Sequence, residues 1–149
     1  MKGRKVFLSQ SASQTQKFAK VILKKLMAKK VKTAKILALV GELGSGKTTF
    51  VQGIAKALGV KGRITSPSFV IMRRFAISDK RFANLCHIDC YRLEKSKELI
   101  VLGFKEIISQ SKNLVVIEWA ERVKSLIPKD AAWVRFEWVG KKERKININ

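Results

Sequence analysis

Gly41-Glu42-Leu43-Gly44-Ser45-Gly46-Lys47-Thr48 is the stretch that decides the fold. It is the pattern G-x-x-x-x-G-K-[ST], and its flanks are those the pattern requires. The apolar run Ile36-Leu37-Ala38-Leu39-Val40 before it predicts a buried parallel strand. Thr49 to Leu58 after it has helical spacing and is closed by Gly59. Strand, loop and helix in that order predict a phosphate-binding turn. Glycines at 41, 44 and 46 let successive N–H groups point inward at phosphate oxygens, and the helix adds its positive N-terminal end. Lys47 is then placed to neutralise the β- and γ-phosphates, and the Thr48 hydroxyl to meet a magnesium ion. The expectation is a nucleoside triphosphate site.

Length and charge bound the rest. The 149 residues suit one domain with a real core, so a single nucleotide-binding domain over 1–149 is expected. Nothing resembles a signal peptide and no apolar run approaches a bilayer span, so no membrane role is expected. A nucleotide site with only two cysteines fits a reducing, cytoplasmic setting. The chain carries 32 Lys+Arg against 11 Asp+Glu, a formal +21, with no acid before Glu42. Such a surface attracts polyanions such as RNA. The lysines scattered from Lys17 to Lys32 also suit a solvated helix face, and no aromatic stacking run is interleaved with them.

Outward from the loop, Val6-Phe7-Leu8 reads as a short strand. Ser11 or Ser13 can cap a helix in which Phe18, Ile22 and Leu26 recur beside Ala19, Leu23 and Met27. Thr65-Ser66-Pro67-Ser68 is a polar loop before a strand at Phe69-Val70-Ile71-Met72, and Leu85 to Tyr91 is another strand. Lys95 to Leu102 predicts a short helix stopped at Gly103, and Leu114 to Trp119 a buried strand. A helix from about Ala120 ends near Pro128. Trp133 to Trp138 alternates, turns around Gly140-Lys141-Lys142 and returns through Arg144 to Ile148, a hairpin. Together these predict a three-layer α/β, P-loop NTPase-like domain, its sheet mainly parallel with added antiparallel strands.

A P-loop needs an acid at the end of a neighbouring strand to hold magnesium. Glu118 closes the most hydrophobic strand after the loop strand and suits that role. Asp89 lies in His87-Ile88-Asp89-Cys90-Tyr91-Arg92, where alternation sets His87, Asp89 and Tyr91 against Cys86, Ile88 and Cys90. Asp89 fits either orientation of the attacking water or support of the magnesium shell; His87 fits a hydrogen-bonding neighbour or a plain core residue. The cysteines read as packing residues, since four positions on a strand separate them by about 13 Å, too far for a disulfide. Ser66-Pro67-Ser68 sits where P-loop proteins place a segment that senses the γ-phosphate, or is a Pro-fixed surface turn. Trp119 fits the core, a cover for the nucleotide pocket, or a partner contact.

These pieces together resemble the bacterial tRNA threonylcarbamoyladenosine biosynthesis ATPases of the TsaE (YjeE) family. Gly41 to Thr49 is similar to its G-[DE]-L-G-[AS]-G-K-T-T loop, Ser66-Pro67-Ser68-Phe69 to S-P-T-F, and His87 to Leu93 to H-x-D-x-Y-R-L. Leu102-Gly103-Phe104 is similar to L-G-[LF], Ile117-Glu118-Trp119 to I-E-W, and Gly140 to Ile148 to a closing G-x-x-R-x-I-x-I hairpin. The resemblance implies a weak, partner-coupled ATPase that acts with TsaD and TsaB and meets tRNA through that complex. ATP binding would dock it on the pair, and hydrolysis would reset the complex between turnovers. By position, Leu43, Gly44, Ser45, Gly46, Lys47 and Thr48 would hold the phosphates with Thr49 beside them. Thr48 and Glu118 would bind Mg2+, Asp89 and Ser68 would assist hydrolysis, and Thr15, Trp119 and Arg144 would lie near the ATP. Ser68 departs from the usual threonine, and the strong positive charge is not a family hallmark.

Two rival readings are distinguishable. A small-molecule kinase would need an arginine-bearing lid, for which Arg63, Arg73, Arg74 and Arg81 are the candidates. A basic RNA-binding module would use the loop only to gate association. A GTPase would need an N-K-x-D guanine-reading motif, which the sequence lacks.

Overall fold

The computed structural model describes residues 5–61, 64–65 and 71–149. One seven-stranded sheet organises them, in the order β1-β7-β6-β2-β5-β4-β3. The strands are β1 (Lys5–Ser9), β2 (Lys35–Gly41), β3 (Met72–Ala76), β4 (Asn84–Asp89), β5 (Asn113–Glu118), β6 (Ala132–Trp138) and β7 (Arg144–Ile148). The centre is parallel: β2 pairs β5 and β6, and β5 also pairs β4. Both edges are antiparallel, through β3 on β4 at one side and the β6–β7–β1 run at the other. The mainly parallel sheet with a C-terminal hairpin is the one expected from the sequence.

Period-two alternation divides the core into two layers. Leu37, Leu39, Leu114 and Val116 pack against Ala19 and Ile22 of α1 (Ala12–Met27) and Phe50 and Ile54 of α2 (Lys47–Ala57). Ile36, Ala38, Cys86, Ile88, Val115 and Ile117 face the other way. They meet Leu99 of α3 (Lys97–Val101), Phe104 and Ile107 of α4 (Phe104–Ser109), and a 3-10 segment, Ala120–Leu126. Three layers result. Cys86 and Cys90 are free, buried thiols inside the second cluster, as packing residues should be. Burial pushes the Cys90 thiol up to about 12, and it raises Cys86 as well. Both should therefore resist a thiol reagent near neutral pH in the folded protein and react promptly in denaturant, because the thiolate is the reactive form.

Helix α1 starts where its cap predicts. Ser11 is the N-cap and accepts from the Gln14 N–H, so Ser11 and not Ser13 does the work. Helices α1 and α2 cross closely at Gly53. A Cβ there would lie 2.7 Å from both Cα and the carbonyl oxygen of Gln16. Alanine would gain about 1 kcal/mol of helix propensity, but backbone cannot yield as a side chain would. We expect Gly53→Ala to be destabilising on balance by about 1–3 kcal/mol in urea unfolding.

Several boundaries differ from the sequence expectation. Helix α2 begins at Lys47, inside the motif, because Gly46 adopts φ +103° and turns the chain directly into the helix. The strand expected at 69–72 runs instead from Met72 to Ala76, paired to β4; its first two expected residues lie outside those described. The strand expected to reach Tyr91 stops at Asp89, whose carboxylate accepts the Tyr91 N–H at 2.9 Å and turns the chain. The helix after Trp119 is 3-10 with a kink at Val123, since it is confined between a strand end and Pro128. Helix α4 adds to the elements expected from the sequence; its signal is Phe104 and Ile107, three apart and both buried, directly after the Gly103 that follows α3.

Candidate nucleotide site

Parallel topology places the loop after β2, Asp89 of β4 and Glu118 of β5 at the same carboxyl-terminal edge of the sheet, where open α/β sheets bind ligands. A cleft of about 780 Å³ opens there. The loop and the α2 N-terminus form its floor. Tyr91 and Trp119 line one side, and Ser11, Thr15 and the β6–β7 turn line the other.

Lys47 is 5% exposed. Its Nζ donates to the carbonyl oxygens of Gly41 and, at 2.9 Å, Glu42, and lies 4.2 Å from the centroid of the Trp119 ring. Burial lowers its pKa, while the carboxylates of Glu118, Glu121, Asp89 and Glu42 act to raise it. The ammonium is thus held at the bottom of the cleft by backbone oxygens and an aromatic face, all of which a phosphate oxygen could replace. Trp119 itself has φ +57°, a left-handed conformation that is uncommon for a bulky residue. That turn at the end of β5 brings its indole over the lysine, beside the Tyr91 ring at 4.9 Å.

Glu118 is 2% exposed and has both oxygens engaged. Oε1 accepts the Thr48 hydroxyl at 3.0 Å, and Oε2 lies 2.5 Å from His87 Nε2. Asp89 is the register partner of Glu118 on the next strand. The two acids therefore stand side by side facing the first residues of α2. Hydroxyl and carboxylate oxygens suit magnesium, which binds through one or two carboxylates plus phosphate and water rather than a full protein cage. The described residues hold no cluster of three or more His, Cys, Asp or Glu that would draw a softer metal.

Of the residues expected at the site, Thr15, Leu43, Gly44, Gly46, Lys47, Thr48, Thr49, Asp89, Glu118, Trp119 and Arg144 all border this cleft. Ser45 does not. Its side chain is buried, and its N–H is given to the Glu42 carbonyl at 3.1 Å. Ser68 lies outside the described residues. Thr15 is 2% exposed with its hydroxyl 2.7 Å from Ser9 Oγ, which ties α1 to β1 at the cleft wall. Arg144 lies over the Trp138 ring at 4.5 Å and donates to the carbonyls of Gly140 and Glu143.

Sequence reasoning left out His87, Tyr91, Arg92, Lys141 and Lys142 as site residues. For His87 the signal was present, because alternation set it on the Asp89 face. For the two lysines it was not: only the pairing of β6 with β2 brings the hairpin turn beside the loop. Of the arginines considered for a lid, Arg63 lies outside the described residues, Arg73 and Arg74 lie in strand β3, and Arg81 pairs with Asp79 at 3.0 Å. None of the last three borders the cleft.

A glycine-rich loop between the central parallel strand and a helix, with acids ending the adjacent strand β5 and the next strand β4, defines a P-loop, nucleotide-binding class of protein. Comparison with known families then gives the particular one: the chain belongs to the TsaE family, described as threonylcarbamoyl adenosine biosynthesis protein TsaE, whose profile matches residues 9–146. The tRNA threonylcarbamoyladenosine biosynthesis protein TsaE of Treponema pallidum is 30% identical over 95% of this chain and 97% of its own. That of Bacillus subtilis is 32% identical over 83% and 75%. The crystal structure of Bacillus subtilis YdiB superposes with a TM-score of 0.71 at 28% identity, covering 99% of this chain and 86% of that one.

Proposed function

We propose that this chain binds and hydrolyses magnesium-ATP as the nucleotide-driven subunit of tRNA threonylcarbamoyladenosine synthesis, acting with TsaD and TsaB in the cytoplasm. Its weak hydrolysis would reset that complex between turnovers. The observation that carries the reading is the 3.0 Å bond from the Thr48 hydroxyl to Glu118, which joins the phosphate loop to an acid on the adjacent strand. Family membership supplies the pathway.

Each residue then has a task. The loop N–H groups and the start of α2 receive the β- and γ-phosphates, and Lys47 exchanges its carbonyl partners for phosphate oxygens. Thr48 and Glu118 would hold the magnesium, which when bound supplies neutralisation of charge on the phosphate oxygens. Asp89, anchored by the Tyr91 N–H, orients the attacking water or braces the magnesium shell. Ser68 would assist from the segment after Thr65. Trp119 and Tyr91 restrict water on one side of the cleft, while Thr15 and Arg144 bound the nucleotide on the other. Because hydrolysis needs only positioning and electrostatics, a site left incomplete until a partner docks would turn over slowly alone.

The test is reconstitution of the modification with purified TsaD and TsaB, substrate tRNA and threonylcarbamoyl donor. We expect modified tRNA in excess of the TsaD–TsaB pair only when this chain and hydrolysable ATP are both present. Equal yield without the chain, or with Lys47→Ala in its place, would overturn the assignment.

A further inference from the structure

We propose that His87 is a positioning residue for Glu118, fixing the carboxylate so that it presents one oxygen to Thr48 and the cation. This rests on the reading of Glu118 as a magnesium ligand. His87 is fully buried, and its Nε2 stands 2.5 Å from Glu118 Oε2, whose side chain is only 3% exposed. The register explains how they meet. His87 is paired with Val116 and Asp89 with Glu118, so the imidazole sits one step back on the neighbouring strand and reaches diagonally to the carboxylate. Leu85, Leu114 and Val116 share that sheet face, so an apolar wall surrounds the pair.

In the positioning role Nε2–H donates to Oε2, because a carboxylate that is to hold a cation serves as acceptor. The division of labour between the two oxygens follows. The Thr48 hydroxyl must reorient when a cation arrives, so its bond to Oε1 is exchangeable. His87 does not line the cleft, so its bond to Oε2 is left in place when the cation arrives. Without it, the side-chain torsions of Glu118 lose their remaining restraint at the moment the metal needs a fixed oxygen. Partners of this kind behind a metal ligand are worth about 10–100-fold in metal affinity.

Two measurements test this. First, the affinity for ATP is compared in EDTA and in magnesium for the wild type, His87→Gln and His87→Leu. Gln keeps an N–H near the Nε2 position; Leu has none. We expect ATP affinity in EDTA to stay within about twofold in both variants, while Leu loses roughly tenfold or more of the magnesium-dependent gain and Gln restores most of it. Full retention in Leu, or equal loss in Leu and Gln, would overturn the positioning role. No magnesium gain in the wild type would instead overturn the metal reading of Glu118. Second, His87 is the chain's only histidine, so ring nitrogen NMR of the labelled wild type reports on it alone and needs no His87 variant to fold. The expected spectrum is a protonated, hydrogen-bonded Nε2 whose proton signal is lost in Glu118→Ala. An Nδ1-protonated tautomer, or a spectrum unchanged by Glu118→Ala, would overturn the proposal.

Discussion

Lys47→Ala is expected to abolish tight nucleotide binding while leaving the fold intact. Truncating one member of a desolvated, charge-assisted contact costs about 2–5 kcal/mol, which is roughly 30-fold or more in Kd. Lys47 should fall at the severe end, because its ammonium is already stripped of water and held by weak acceptors that phosphate oxygens can replace. Stability should change little. The variant loses those backbone contacts but also removes a charge whose burial is unfavourable, as its lowered pKa indicates. Calorimetric titration with ATP, beside a thermal melt, separates the two effects. A loss of binding that tracks a loss of folding would count against a direct phosphate role. Trp119 gives an independent signal: with its ring over the lysine, its fluorescence should change on ATP binding in the wild type and stay unchanged in Lys47→Ala.

The second large effect is expected at Glu118. Glu118→Ala should reduce magnesium-dependent hydrolysis by about 100- to 1,000-fold, the range seen when one preorganised electrostatic group is removed from a reacting centre. Binding of ATP in EDTA should be preserved or tightened, since a carboxylate beside the γ-phosphate repels it when no cation intervenes. That opposite response is what separates a metal ligand from a structural acid. It also distinguishes Glu118 from Lys47, whose loss weakens binding with or without magnesium. Wild-type turnover in Glu118→Ala would remove the metal assignment. Asp89→Ala should show the smaller effect of the two if it only orients water, because Thr48 is bonded to Glu118.

How much of this was legible in the sequence depends on how local each signal is. The loop, its strand and its helix announce themselves within the 23 residues from Ile36 to Leu58, and α2 differs only by starting two residues early and ending one early. The strand-end acids were findable because carboxylates are scarce in this chain and both end apolar runs. Assembly across the sheet was not readable. Nothing in residues 140–142 says that β6 adds in parallel beside β2, yet that pairing brings Lys141, Lys142 and Arg144 to the cleft. Thr15 joined the site through resemblance alone, and its place depends on the packing of α1 against α2. His87 shows the limit most clearly. Alternation put it on the right face, but its bond to Glu118 is a diagonal cross-strand contact that depends on the register of β4 on β5. The sequence predicts a helix from about Ala120 to near Pro128, whereas the left-handed turn at Trp119 and the nearby Pro128 shape a 3-10 segment there.

The measurement that bears most directly on the account is ATP hydrolysis by the purified chain with and without magnesium, alone and with TsaD–TsaB, against Lys47→Ala as the blank. Slow, magnesium-dependent turnover is expected, absent in the blank and altered by the partner pair. Turnover equal in Lys47→Ala, or independent of magnesium, would contradict it.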